Sequence, residues 1–275
     1  MSGQFSGQDN WHLQFLKLGG SLITDKTKPH SVRFEVLQRI AGELTNAYQE
    51  DPSIKLLLGH GSGSFGHVPA KVHGTRNGVS TAAQWRGFLE VWREAAALNR
   101  IVIDVLNEAG LPVITFPPSS CISARDGQVV KWNLTPLQDA LEAGLLPVVY
   151  GDVVFDQIRG GTILSTEDIF GYLAPHLHPE RVLLAGLEEG VWEDYPSCLE
   201  IMPEITPDNL PSIRTALGGS TSTDVTGGMY SKVLQSIEMA QENTGLEVLI
   251  FSGEMHGTVG KVLLGAQMGT VIRSR

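Results

Sequence analysis

The sequence predicts an α/β protein with a mainly parallel sheet and helices on both of its faces. Three observations carry that prediction. Short apolar runs alternate with longer helical patterns along the chain. The runs Lys55-Leu56-Leu57-Leu58 and Val182-Leu183-Leu184 suit strands covered on both sides, as central parallel strands are. Gly110, Gly144 and Gly245 each follow a helical pattern, at the position where glycine commonly ends a helix.

The first strand is expected at residues 15–18, an apolar run interrupted by Lys17. A helix at 33–49 leads to a second strand at 54–58. Pro69 is read as breaking any helix that starts after that strand. A long helix at 81–109 ends before Gly110, and a strand at 112–116 follows. Helix 135–143 ends at Gly144 and leads to strand 147–150. Helix 166–173 opens on Ser165-Thr166-Glu167-Asp168, which reads as an ordinary capping box. Pro and His cluster at 175–179 before the strand at 181–184, marking a weak boundary. Residues 195–220 hold four prolines and little periodicity, which suits a hairpin or flap. The last helix, 229–243, carries the apolar stripe Met229, Val233, Ile237 and Ala240. Strands at 247–251 and 270–272 complete the set.

The chain has 275 residues and a formal net charge of −10, with 42% hydrophobic and 18% charged residues. That length suits one large domain or two lobes, and that composition excludes a disordered chain. The acidic balance argues against a nucleic-acid or anionic-membrane partner but leaves room for a small phosphorylated substrate held by a few lysines. Cys121 and Cys198 form no CxxC pair and suit a reducing compartment. No apolar run approaches the roughly 18 residues of a spanning helix. Residues 1–10 are rich in Gly, Ser and Gln, without the cationic and apolar regions of a secretory signal, and are expected to form a flexible tail. The expected location is cytoplasmic.

Three glycine loops stand out: Lys17-Leu18-Gly19-Gly20-Ser21, Gly59-His60-Gly61-Ser62-Gly63-Ser64-Phe65-Gly66-His67, and residues 220–229 with Thr226-Gly227-Gly228. Each leaves a strand or opens a helix, where α/β sheets hold ligands and helix N-termini attract anions. Gly61, Gly63 and Gly66 satisfy G-x-G-x-x-G, but the loop follows the second strand and no acidic strand end lies about 20 residues on, so a dinucleotide site is disfavoured. One such loop is a tight turn; three together favour a phosphate cradle. Lys17 is costly to bury without an anion. Lys232 lies in the first turn of the last helix, where the macrodipole disfavours a cation unless an anion is also present. Lys26 and Lys232, each taken alone, are equally compatible with solvated surface lysines. His67 closes the second loop, and Asp152 follows Tyr150-Gly151 at a strand end. His60, nearer the strand, reads as structural.

These motifs resemble the amino acid kinase superfamily and, within it, the isopentenyl phosphate kinases, from Lys17 to Ile272. The specific element is Ser64-Phe65-Gly66-His67, whose histidine marks the phosphate-acceptor branch. The resemblance implies an open αβα sandwich as one domain over residues 11–275, with an acceptor lobe at 11–177 and a nucleotide lobe at 178–275. It implies phosphoryl transfer from ATP to isopentenyl phosphate, with Mg²⁺ and a homodimer. Lys17, Lys26 and Lys232 would neutralise the transferring group, His67 would bind the acceptor phosphate, and Asp152 would orient the lysines. Gly19, Gly20, Ser21, Ser62, Gly186 and Gly228 would contact ATP; Gly61, Ser62, Gly66 and Gly151 would contact the acceptor. Ser62 stands where the family usually has glycine, and Ala185-Gly186-Leu187-Glu188-Glu189-Gly190 departs from the usual nucleotide-side segment.

A phosphate monoester has a second pKa of about 6 and is mostly dianionic at neutral pH. It needs no general base, only cations and oriented N–H groups that bring two polyanions into line. Mg²⁺ is expected on the phosphates and water rather than in a protein cage. Trp85, Phe88 and Trp92 share one helix face. They are either core or, in at least one case, the far wall of the acceptor pocket. The competing readings are a kinase of the same fold for a carboxylate or phosphonate, and a non-catalytic nucleotide- or oxyanion-binding protein.

Overall fold

The computed structural model describes residues 12–195, 197–211 and 228–275. The expected N-terminal tail and the Asp224-Val225-Thr226-Gly227 part of the third loop lie outside the described residues. So do residue 196 and residues 212–220 of the expected flap.

Twelve strands and nine helices are described, in the order β1 (His12–Leu18), α1 (Gly20–Ile23), α2 (Phe34–Glu50), β2 (Ile54–His60), α3 (Gly63–His73), α4 (Ala82–Glu108), β3 (Val113–Thr115), α5 (Pro118–Cys121), β4 (Ile122–Arg125), β5 (Gln128–Trp132) and α6 (Thr135–Glu142). Then come β6 (Leu146–Tyr150), β7 (Asp152–Asp156), β8 (Gly160–Leu164), α7 (Thr166–Leu177), β9 (Arg181–Gly186), β10 (Glu204–Ile205), α8 (Gly228–Glu242), β11 (Glu247–Ser252), α9 (Thr258–Leu263) and β12 (Thr270–Ile272). Eight strands form one sheet in the order β10-β12-β11-β9-β1-β2-β6-β3. Every pairing in it is parallel except β11 with β12.

The core divides by strand alternation, as a sheet covered on both faces requires. Leu13, Phe15, Leu57, Val182 and Leu184 pack on one face with Ile169 and Phe170 of α7. Leu16, Leu18, Leu56, Leu58, Leu183 and Ala185 pack on the other with Leu37 and Leu44 of α2 and Leu98 and Val102 of α4. Lys17 falls on the same face as Phe15, which aims its side chain at α7. In register beside it is Gly59, where an added Cβ would come 2.3 Å from Thr166 Cγ2. That glycine lets the start of α7 settle onto the strand next to Lys17.

Two expectations fail here. Pro69 does not break the helix: α3 runs from Gly63 to His73 with Pro69 inside it. Proline removes one rung of the ladder and stresses the turn before it, and here the packing of α3 against α4 outweighs that loss. The second sheet, β5-β4-β7-β8, is also unanticipated. Only Gly151 separates β6 from β7, so the sequence reads as one apolar run. The β4–β5 hairpin did leave a signal, because Asp126 and Gly127 take φ 51° and 80° in a tight Asp-Gly turn.

Candidate active site

The carboxyl ends of β1, β2, β6 and β9 meet along one edge. Leu18 lies in register with His60 and with Ala185, and His60 with Tyr150. The loops that leave these strands border a cavity of about 500 Å³. The Gly19 amide donates to Ala185 (2.8 Å) and the Gly61 amide to Leu18 (3.0 Å), stitching neighbouring loops together. Glycine is required where the first two loops touch. An added Cβ on Gly20 would lie 2.4 Å from the Gly63 nitrogen, and one on Gly61 would lie 2.8 Å from the Gly20 nitrogen. Gly20, Ser21 and Ser62 line the cavity, and their amides donate to no other group among the described residues.

The predicted residues divide cleanly. Lys17, Gly19, Gly20, Ser21 and Lys26 line the cavity from the first loop. Gly61, Ser62, Gly66 and His67 line it from the second, and Gly151, Gly186, Gly228 and Lys232 from the remaining elements. Asp152, Trp85, Phe88 and Trp92 do not line it.

The resemblance assigns Asp152 to orienting the lysines, and the structure places it elsewhere. It is fully buried, and its carboxylate accepts from the Val153 amide (2.8 Å) and the Ser119 amide (3.3 Å). Burial pushes its carboxyl up to about 6, with hydrogen bonds from Ser119 and Val153 opposing. The carboxylate paired with Lys17 is Glu167, which the capping-box reading set aside. The capping box itself is present: Ser165 accepts from the Asp168 amide, and Asp168 accepts from the Ser165 amide. Asp168 is therefore the residue that turns back to the cap, and Glu167 is left to face Lys17. Burial raises the Glu167 carboxyl, but the Lys17 ammonium, helped by Lys232, outweighs it and holds the group below the usual carboxylate range. Asp168 also accepts from Arg76 (3.2 Å) and from Gln235 (3.0 Å), which lies on α8 three residues beyond Lys232.

The aromatic face differs from expectation by one helix position. Phe88 packs in a small buried cluster with Ala70, Val79, Val91 and Val153, against Trp85. Trp85 and Phe88 make aromatic contacts with Phe155 at centroid distances of 6.0 and 5.5 Å. Trp92 is 44% exposed. Val91, Ala70 and Ile163 supply the apolar wall instead. The expected aromatics give way to Val91, which lies three residues after Phe88 on the adjoining part of that helix face.

The same cavity is also lined by Leu187, Glu188, Trp192, Tyr195 and Cys198. The Trp192 indole donates to Glu188 at 2.8 Å. One cavity is therefore lined by an apolar set of side chains, by an aromatic and polar set, and by the lysines and glycine loops. Among the described residues no cluster of three His, Cys, Asp or Glu could hold a metal ion. Among them no helix is long and apolar enough to cross a membrane.

The profile of the amino acid kinase family matches residues 13–252. The isopentenyl phosphate kinase of Methanocaldococcus jannaschii is 35% identical over 269 residues, covering 94% of this chain and 98% of that protein. That of Methanothermobacter thermautotrophicus is 33% identical over 274 residues, covering 94% and 98%. A crystal structure of an isopentenyl phosphate kinase superposes with a TM-score of 0.79 at 29% identity, covering 95% of this chain and all of that one.

Proposed function

The chain belongs to the amino acid kinase family, and on that premise we propose that it transfers the γ-phosphoryl group of ATP to isopentenyl phosphate, giving isopentenyl diphosphate. One observation carries the choice of acceptor. His67 and the Gly61–Ser62 backbone share a cavity with the apolar wall of Ala70, Val91 and Ile163. A phosphate head and a short hydrocarbon tail fit that pair of surfaces. An amino acid acceptor would need a carboxylate for its ammonium group. Among the described lining carboxylates, Glu167 is committed to Lys17 and Glu188 to Trp192.

The lobes divide the work. Residues 11–177 supply the acceptor side, with His67 on the acceptor phosphate. Residues 178–275 supply the nucleotide side, with Gly186 and Gly228 against ATP. Lys17, Lys26 and Lys232 neutralise charge on the phosphoryl group in flight, and Glu167 fixes Lys17. The acceptor oxygen is already ionised and needs no base. Such catalysis rests on position and electrostatics. The charged lining residues are mainly cationic, and the lining carboxylates Glu167 and Glu188 are engaged by Lys17 and Trp192, so Mg²⁺ would be held by phosphate oxygens and water. When bound it would supply charge neutralisation to the nucleotide phosphates.

The protein is a cytoplasmic homodimer in this reading. The two cysteines, Cys121 and Cys198, are free, as a reducing compartment favours. Exposed Val72, Leu89, Trp92 and Phe155 offer apolar surface for a second copy. The net charge of −10 argues against nucleic acid and anionic membranes as partners.

The test is a substrate panel. The purified chain is incubated with ATP, Mg²⁺ and isopentenyl phosphate, an alkyl phosphonate or glutamate, and ADP and product are measured. Turnover with isopentenyl phosphate is expected, reduced by about 10²–10³ in Lys232→Met. Transfer to glutamate alone, or ATP binding with no transfer to any acceptor, overturns the reading.

A further inference from the structure

His60 is wholly buried at the end of β2 and does not line the cavity. Its ring stacks on Tyr150, with centroids 5.3 Å apart and planes 7° from parallel. Nδ1 lies 3.1 Å from the carbonyl oxygen of Gly61, the next residue. A carbonyl only accepts, so Nδ1 carries the proton. Nε2 then accepts, and it meets the Asn99 side-chain amide at 3.1 Å. Asn99 is held in that sense by the Thr115 hydroxyl, which donates to Oδ1 at 2.9 Å. Every partner in the chain Thr115–Asn99–His60–Gly61 is thus fixed as donor or acceptor, and the tautomer with it. Burial keeps the ring neutral by pushing its pKa down to about 4.

The consequence falls on the next peptide. In a planar trans peptide the C=O and N–H point in opposite directions. Drawing the Gly61 carbonyl toward the buried ring turns the Ser62 N–H the other way. That amide has no acceptor among the described residues, and Ser62 lines the cavity. Two further bonds meet at the same residue. The His60 carbonyl accepts from the Thr166 hydroxyl (2.7 Å) and the Gly151 amide (3.1 Å). Thr166 precedes Glu167, the partner of Lys17.

We infer that His60 is a positioning residue for phosphoryl transfer: its Nδ1–H holds the Gly61–Ser62 peptide so that the Ser62 amide faces the phosphate oxygens. The inference rests on the kinase reading above. Its distinctive content is that the donor at Nδ1, rather than the volume of the ring, matters for turnover.

Two substitutions separate those contributions. His60→Phe keeps an aromatic ring for Tyr150 and removes the donor. His60→Asn loses the ring but places an amide N–H near Nδ1. Rates are measured per folded enzyme, at a temperature below every melting transition. A positioning role predicts that His60→Phe melts nearer the wild type yet loses about 10²-fold in kcat, as a small misplacement does. It predicts that His60→Asn melts lower and turns over faster than His60→Phe. A purely structural role predicts the reverse order of rates, and that result overturns the inference. If His60→Phe does not fold, Asn99→Leu keeps the ring and releases its tautomer. Wild-type kcat in Asn99→Leu then overturns the inference, and a fall of about tenfold or more supports it. The kinase reading fails separately, through an inactive wild type. In that case the amide proton resonance of Ser62 is followed on adding ATP. A large shift in wild type that is lost in His60→Phe or Asn99→Leu supports the positioning, and an equal shift in wild type and variant overturns it.

Discussion

Lys17 on β1 and Glu167 on α7 form an ion pair across 150 residues of sequence, with side chains only 12% and 9% exposed. The parallel register brings it about. Lys17 projects from the face that α7 covers, and Gly59 on the neighbouring strand leaves room for the first turn of that helix. A lysine held this way meets a phosphoryl group without having to order itself first.

Glu167→Gln removes the charge and leaves most of the shape. We predict a fall of about 10²-fold in kcat, because Lys17 is no longer fixed. Stability should drop by about 3–5 kcal/mol, the usual cost of unpairing one member of a buried ion pair. Glu167→Asp should recover part of both. Steady-state kinetics and thermal melts on the three proteins check this, and unchanged kcat in Glu167→Gln would remove the residue from the machinery.

His67→Ala should damage use of the acceptor far more than binding of ATP. Loss of a charge-assisted hydrogen bond is worth about 1.5–3 kcal/mol, or roughly 10- to 150-fold in kcat/KM for isopentenyl phosphate. His67→Gln should recover some of it, since an amide still donates. Calorimetric ATP affinity is the control; an equal loss there contradicts the assignment to the acceptor phosphate.

The chain-length limit should answer to Val91 and Ile163 rather than to the aromatics behind them. Truncating Ile163 to Ala opens the apolar end of the cavity, and each extra CH₂ buried there returns about 0.8 kcal/mol. The preference should shift from five-carbon toward ten-carbon monophosphates. Phe88→Ala, buried behind Ala70 and Val91 and absent from the cavity lining itself, should instead cost mainly stability, about 3–5 kcal/mol. Relative kcat/KM for the two acceptors, alongside melting temperature, distinguishes them, and an unmoved preference in Ile163→Ala contradicts this placement.

Asp152 and His60 should give acid stability opposing slopes. Burial raises the Asp152 carboxyl to about 6 from 3.8, so its contribution is present below 3.8 and lost as pH rises through 6. Burial lowers the His60 imidazole to about 4 from 6.5, so its contribution is present above 6.5 and lost as pH falls through 4. Each amounts to about 3 kcal/mol, and the two largely offset one another in the wild type. Asp152→Asn removes the first slope. Its urea midpoint should therefore fall more steeply than that of the wild type between pH 7 and pH 4.5. Parallel curves would show that Asp152 does not titrate in that range.

The sequence by itself determined the alternation of strands and helices, the glycine loops and the lysines placed in them, because each is a local pattern. Central strands show as unbroken apolar runs, and a lysine amid such a run is visible without a structure. It also held signals that went unused. Asp126-Gly127 marked the hairpin, and the spacing of Ser165 to Asp168 already showed that Asp168, rather than Glu167, completes the cap. The tertiary structure decided which carboxylate meets Lys17 and which apolar side chains line the cavity. It also decided what His60 holds and whether α3 survives Pro69. The physical reason is shared by all four. An ion pair across 150 residues depends on strand register and on the docking of α7. A one-position shift around α4 exchanges Val91 for Trp92 at the cavity. The His60 tautomer is set by Asn99 on α4 and Thr115 on β3. A helix containing proline persists when its neighbours bury it. Such outcomes depend on distances between elements, which no window of sequence contains.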